Sequence, residues 1–148
     1  MNYIKEAVEY LRNYENLITS TANLRDEILG LKVDLKSVKE ISYSDMPHGS
    51  SDASLADDAI VNKMFQLKKA EEDYKETSRT LKRMDKTMER FKESNELYFN
   101  ILNGYFVDKL TEEQLMKDFS YSDRHLRRIK QNALRTFAIQ LFGINAMK

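Results

Sequence analysis

The sequence predicts an all-α protein, with a long, coiled-coil-like antiparallel helical hairpin followed by a C-terminal helix-turn-helix domain. Three observations lead there. The 148 residues hold one Pro and four Gly among abundant Lys, Glu, Leu and Met, which enter helices readily. Apolar residues recur at steps of four and three over two long stretches. Between those stretches lies Met46-Pro47-His48-Gly49, where Pro47 has no amide hydrogen and disfavours helical geometry at Met46.

The first arm is expected from roughly Tyr3 to Lys39. Ile4, Val8, Leu11, Tyr14 and Ile18 form one stripe, and Leu24, Ile28, Leu31, Leu35 and Val38 continue it. The offset falls at Thr19-Ser20-Thr21, three poor helix formers that predict a kink or a break. Residues 42–54, SYSDMPHGSSDAS, then read as the hairpin loop. His48 within it reads as an ordinary exposed histidine, since it has no ligand partners nearby in sequence.

The second arm is expected from Leu55 to about Tyr105, with Ser54 as cap and Asp57 and Asp58 in the first turn. Ile60, Met64, Leu67, Tyr74, Leu81 and Met88 mark a period near 3.5, and a neighbouring stripe through Met84, Phe91, Tyr98 and Leu102 takes over. Paired over ~36 residues, the two arms would span about 54 Å, so an antiparallel hairpin is the economical arrangement. Its seam is thin. Tyr3, Tyr10, Tyr14, Leu17, Phe65 and Tyr74 are left with doubtful cover, which suggests pairing with a second copy as a homodimer.

Residues 94–148 read as a separate domain from the hairpin of residues 1–93. Leu97, Tyr98, Ile101, Leu102, Tyr105 and Phe106 supply a helix for two others to pack on. Thr111 caps the first of these, Thr111 to about Asp118, with Gln114 closing a capping box. Ser122 caps the second, which runs through Phe137 or Leu141 to a stop at Gly143. Leu115, Phe119, Leu126, Ile129, Ala133, Leu134 and Phe137 fall on the inner faces. The other face of the second helix carries Arg124, His125, Arg127, Arg128, Lys130, Gln131 and Arg135.

Charge supports a nucleic-acid reading of that face. The formal net charge is zero, yet residues 122–148 hold six Lys or Arg against one acid, Asp123, and residues 1–110 hold 17 bases against 20 acids. With no cysteine, disulfide scaffolds and Cys-based metal sites are excluded. There is no apolar run of about 20 residues, as a membrane span needs, and MNYIKEAVEY does not read as a signal peptide. Nor is there a Gly-rich phosphate loop, an H-E-x-x-H or a G-x-S-x-G motif. We therefore expect no enzyme, no cofactor and no metal.

The stretch Leu110-Thr111, Leu115, Phe119-Ser120-Tyr121-Ser122, then Arg124, Leu126-Arg127, Ile129-Lys130 and Ala133-Leu134, resembles the helix-turn-helix of sigma-factor region 4. Two positions depart from that pattern: Ser120 stands where a turn glycine is usual and Met116 where a very small residue is usual. Ser44-Asp45-Met46-Pro47 with Gly49 resembles the loop after the first helix of ArpU/RinA-type phage regulators. The resemblance implies a phage or prophage regulator in the cytoplasm of a bacterial host, activating late genes. It would bind double-stranded promoter or operator DNA, with contact to RNA polymerase. Ser122, Asp123, Arg124, His125 and Arg128 would then face base edges, and Arg127, Lys130, Gln131 and Arg135 would meet phosphates. Two alternatives stay open: a phage small terminase subunit, which would form a large ring, and a coiled-coil interaction adaptor without a DNA role.

Overall fold

The computed structural model describes the backbone of residues 1–44 and 50–148 and the side chains of residues 1–38 and 57–148. Among the described residues every regular element is helical: α1 (Tyr3–Arg12), α2 (Tyr14–Ser44), α3 (Ser50–Ser94), α4 (Glu96–Leu102), a π-helical turn (Asn103–Val107), α5 (Glu112–Phe119), α6 (Asp123–Phe142) and a 3₁₀ turn (Gly143–Met147). The Met46-Pro47-His48-Gly49 connection and the reading of His48 lie outside the described residues. The helices on either side run closer to it than expected, to Ser44 and from Ser50, so the region between them is shorter than 42–54.

The first arm breaks at Asn13, not at Thr19-Ser20-Thr21. The Asn13 side chain donates to the Glu9 carbonyl at 2.9 Å, and its backbone amide donates to the same oxygen at 3.0 Å. The amide bond is the helix's own i→i−4 link, whereas the side-chain bond to the same carbonyl is of the local kind that competes with continuation of the helix. The hydroxyl residues at 19–21 stay helical because propensity is a weak prior beside the packing of Leu17, Leu24 and Ile28. A similar device ends α3. Ser94 and Asn95 both donate to the Phe91 carbonyl, and the Asn95 side chain then accepts from the Tyr98 amide to start α4. The expected helix to Tyr105 is thus divided.

Contacts gather the chain into two compact units, Met1–Ile18 with Thr80–Lys148, and Thr19–Arg79. This grouping differs from the expected division at residue 93. In the first unit, Ala7 and Leu11 of α1 share one core with Met84 and Phe91 of α3, Leu102, Phe106, and Ala133, Leu134, Phe137, Ala138 and Leu141 of α6. A second, smaller core holds Ile101, Leu115 and Leu126. Tyr3 and Tyr10, expected to lack cover, lie on Phe142 with ring centroids 5.2 and 5.9 Å away. Leu17 packs against the larger core and the Tyr14 hydroxyl donates to Asp85. The C-terminal turn completes this unit through Ala146, while Ile144 and Met147 are exposed.

The second unit holds the parts of α2 and α3 that fall within Thr19–Arg79. Leu24, Ile28, Leu31, Leu35 and Val38 are buried or half-buried, as their spacing predicts. Opposite them the seam runs through Ile60, Lys63, Leu67, Ala70, Tyr74 and Thr77. Met64, expected in that seam, is exposed, and Lys63 takes the place, its ammonium 3.6 Å from Asp34. Arg25 donates to the Tyr74 hydroxyl and Lys32 faces Glu71, so numbers rise along α2 as they fall along α3 and the arms are antiparallel. Leu29, Val33, Val61 and Phe65 remain exposed on helix sides turned away from the seam.

Candidate nucleic-acid interface

The strongest surface feature is built by α5, the residues that follow it, and α6. Thr111 and Gln114 form a reciprocal capping box: the Gln114 amide donates to the Thr111 hydroxyl at 3.2 Å, and the Thr111 amide donates to the Gln114 side chain at 2.9 Å. Leu115 and Gly104 then meet closely. A Cβ on Gly104 would stand 3.2 Å from Leu115 and 3.3 Å from Leu110, so the absent side chain gives α5 its seat.

α5 ends in a Schellman-type turn. Ser120 adopts the left-handed conformation, φ 56° and ψ 41°, and donates to the Lys117 carbonyl. The Tyr121 amide donates to the Met116 carbonyl at 3.1 Å. The fold therefore requires of Ser120 what a turn glycine supplies without steric penalty. Met116 is half-buried and packs at the edge of the smaller core, where its flexible chain can adapt to the space available. Ser122 restarts the chain by accepting from the His125 amide at 3.2 Å.

α6 is two-sided. Leu126, Ala133, Leu134, Phe137, Ala138 and Leu141 are buried. At 100° per residue, Arg124, Arg128, Gln131 and Arg135 fall on one line, about 130° round the helix from the centre of that buried set, and all four are exposed. That line covers about 16 Å of helix. Arg127 lies at its flank, 3.3 Å from Asp123 in an i,i+4 pair. The hydroxyl of Ser122 is engaged in its cap. His125 is half-buried, its ring edge-on to Tyr121, and its Nδ1 is 3.1 Å from Arg128 Nη2.

Lys130 departs from the expected outward face. Its ammonium donates to Glu112 at 3.0 Å, lies 4.1 Å from the centroid of the Tyr105 ring, and its side chain is only 16% exposed. The hydrogen bond and charge of Lys130, with a smaller effect of Arg127, hold the Glu112 carboxyl below the usual carboxylate range. The reason is positional: Lys130 stands four residues after Leu126 and three before Ala133, on the core side. The signal was present in the spacing, but the residue type pointed outward. Tyr121 and Glu112 are the contributors that sequence reasoning passed over. Tyr121 could have been found from its place just before the Ser122 N-cap, where an apolar residue commonly packs back on the first turn of the helix.

Elsewhere in the first unit an open groove of about 420 Å³ is lined by Leu11, Tyr14, Asp85, Met88, Lys92 and Phe99 among others. Hydrogen bonding to Asp85, with burial, pushes the Tyr14 phenol up to about 12. Among the described residues no group of three His, Cys, Asp or Glu side chains could hold a metal ion, and no helix is long and apolar enough to cross a membrane. Compared with known protein families, characterised proteins and solved structures, the chain matches none.

Proposed function

We propose that the chain is a sequence-specific DNA-binding transcriptional regulator in which α4, α5 and α6 act as a helix-turn-helix. α6 enters the major groove, with Arg124 and Arg128 near its N-terminal end reading base edges, and Gln131 and Arg135 meeting phosphates farther along. The observation that carries this reading is the exposed line Arg124, Arg128, Gln131 and Arg135, on a different side from the buried apolar face of a helix capped just after a tight turn. Lys130 is left out of the contact set. The resemblance to ArpU/RinA-type regulators adds phage origin, late-gene activation and contact with RNA polymerase to the same proposal. The two arms serve as a coiled-coil-like hairpin that pairs with a second copy through its exposed Leu29, Val33, Val61 and Phe65, so that two α6 helices meet one duplex.

Selection of bound fragments from the genome that encodes the chain, followed by footprinting, tests this directly. A recurrent protected sequence is expected, with affinity falling steeply as salt rises. Arg128→Ala should weaken binding to that sequence by about 1–3 kcal/mol and relax preference at one base position. Equal loss on selected and random DNA would show that Arg128 reads no base. Sedimentation at micromolar concentration should show a dimer, and a large ring would favour a DNA-packaging role instead.

A further inference from the structure

Arg128 does not lie loose on the surface. A row of contacts leads to it from the smaller core. Phe119 and Tyr121 pack against Ile101, Leu115 and Leu126, and their rings stack at 5.8 Å between centroids with 17° between planes. Tyr121 then meets the His125 ring edge-on at 4.5 Å. His125 Nδ1 in turn lies 3.1 Å from Arg128 Nη2. A guanidinium has donors only, so in this contact Nδ1 must accept, which places the neutral imidazole's proton on Nε2. One of the five N–H groups of Arg128 is used, and the rest of the fork stays available for a base edge.

We propose that His125, steadied by Tyr121, is a positioning residue that fixes Arg128 for base reading before DNA arrives. This rests on the DNA-binding reading of α6 and adds to it a source of specificity that is not itself a DNA contact. An exposed arginine otherwise loses rotamer freedom when it binds, and a preset guanidinium has less to lose. The benefit applies only where Arg128 meets its correct base, because random duplex is held through phosphates that a mobile arginine reaches equally well.

The test compares wild type, His125→Ala, His125→Gln, Arg128→Ala and the His125→Ala/Arg128→Ala pair, each confirmed folded by thermal melting. His125→Ala should weaken binding to the selected sequence by about two- to tenfold, the range for immobilising one rotamer-rich side chain. Binding to random DNA should not change. His125→Gln, whose amide oxygen also accepts, should recover most of the loss. In the Arg128→Ala background, His125→Ala should add nothing. An equal further loss there, or no loss in the single variant, overturns the proposal. The imidazole ¹⁵N shifts of the DNA-free protein provide a readout independent of DNA: the Nε2–H tautomer at neutral pH is expected, and an Nδ1–H tautomer overturns the contact. Absence of any preferred DNA sequence would remove the DNA reading and with it the proposed role, even if the tautomer stood.

Discussion

The two units use the same heptad-like spacing and bury it to different depths. Along α3 the steps of four and three run through Lys63, Leu67, Ala70, Tyr74, Thr77, Leu81, Met84, Met88 and Phe91 without a change of register. In the unit of the arms the best-buried large side chains, Leu31 and Leu35, keep 9% of their surface. In the unit that carries the candidate interface, Met84, Phe91 and Phe137 are fully buried. A seam between two helices leaves each apolar side chain open at its flanks, whereas α1, α4 and α6 close around the same stripe from further sides. The spacing thus sets which side of a helix faces inward, and the number of covering elements sets how much that burial contributes.

Core truncation tests this contrast most severely. Phe137→Ala should destabilise by about 3–5 kcal/mol, whereas Leu35→Ala should fall at or below the lower end of the Leu→Ala range, about 2 kcal/mol, because water already reaches its site. Urea midpoints decide it, and equal losses would break the comparison. Next in size is the serine in a glycine's place. Ser120→Gly should stabilise by about 0.5–1 kcal/mol, since removing the left-handed penalty of a Cβ, roughly 1–2 kcal/mol, outweighs what glycine's greater unfolded-state entropy costs. A lowered melting temperature would mean that the side chain of Ser120 does something its backbone does not reveal.

The pH dependence should belong to the interface unit. Glu112 is held low by Lys130, so its contribution is present above the ordinary carboxylate range and is lost as pH falls through its lowered value in the fold. Glu112→Gln should flatten the acid limb of stability. Tyr14 is shifted the other way. Its contribution is present below about 10, the ordinary phenol value, and is lost as pH climbs from there towards about 12. Tyr14→Phe should flatten that alkaline loss. Smallest of all is the Lys63–Asp34 pair of the arms, which lies 3.6 Å apart with Asp34 exposed. Asp34→Asn should change stability by less than about 1 kcal/mol, and a larger loss would make the arms more dependent on charge than their exposure suggests.

The ends of the elements around the interface were legible because each rests on a local chemical signal. Thr111 with Gln114, Ser122 and Gly143 bound the two helices where their residue types predict. The break at Asn13 was hidden because a three-residue run of Ser and Thr looks weaker than one Asn, yet it is Asn13 that ends α1, with its side chain returned to the Glu9 carbonyl. Lys130 misled by type, since a lysine is normally solvated. Its ammonium is drawn inward by a carboxylate 18 residues earlier and by the Tyr105 ring, neither of which is near it in sequence.

Residue order alone determined that this chain is helical, where its caps fall, and which line of α6 collects arginine, because helix propensity, capping and the 3.6-residue period act within a few neighbours. Only the tertiary structure decided that Met1–Ile18 joins the C-terminal helices, that Phe142 covers Tyr3 and Tyr10, and that Lys130 turns away from the arginine line. Those outcomes depend on contacts between residues tens of positions apart, and no local rule ranks such contacts until the competing surfaces have met.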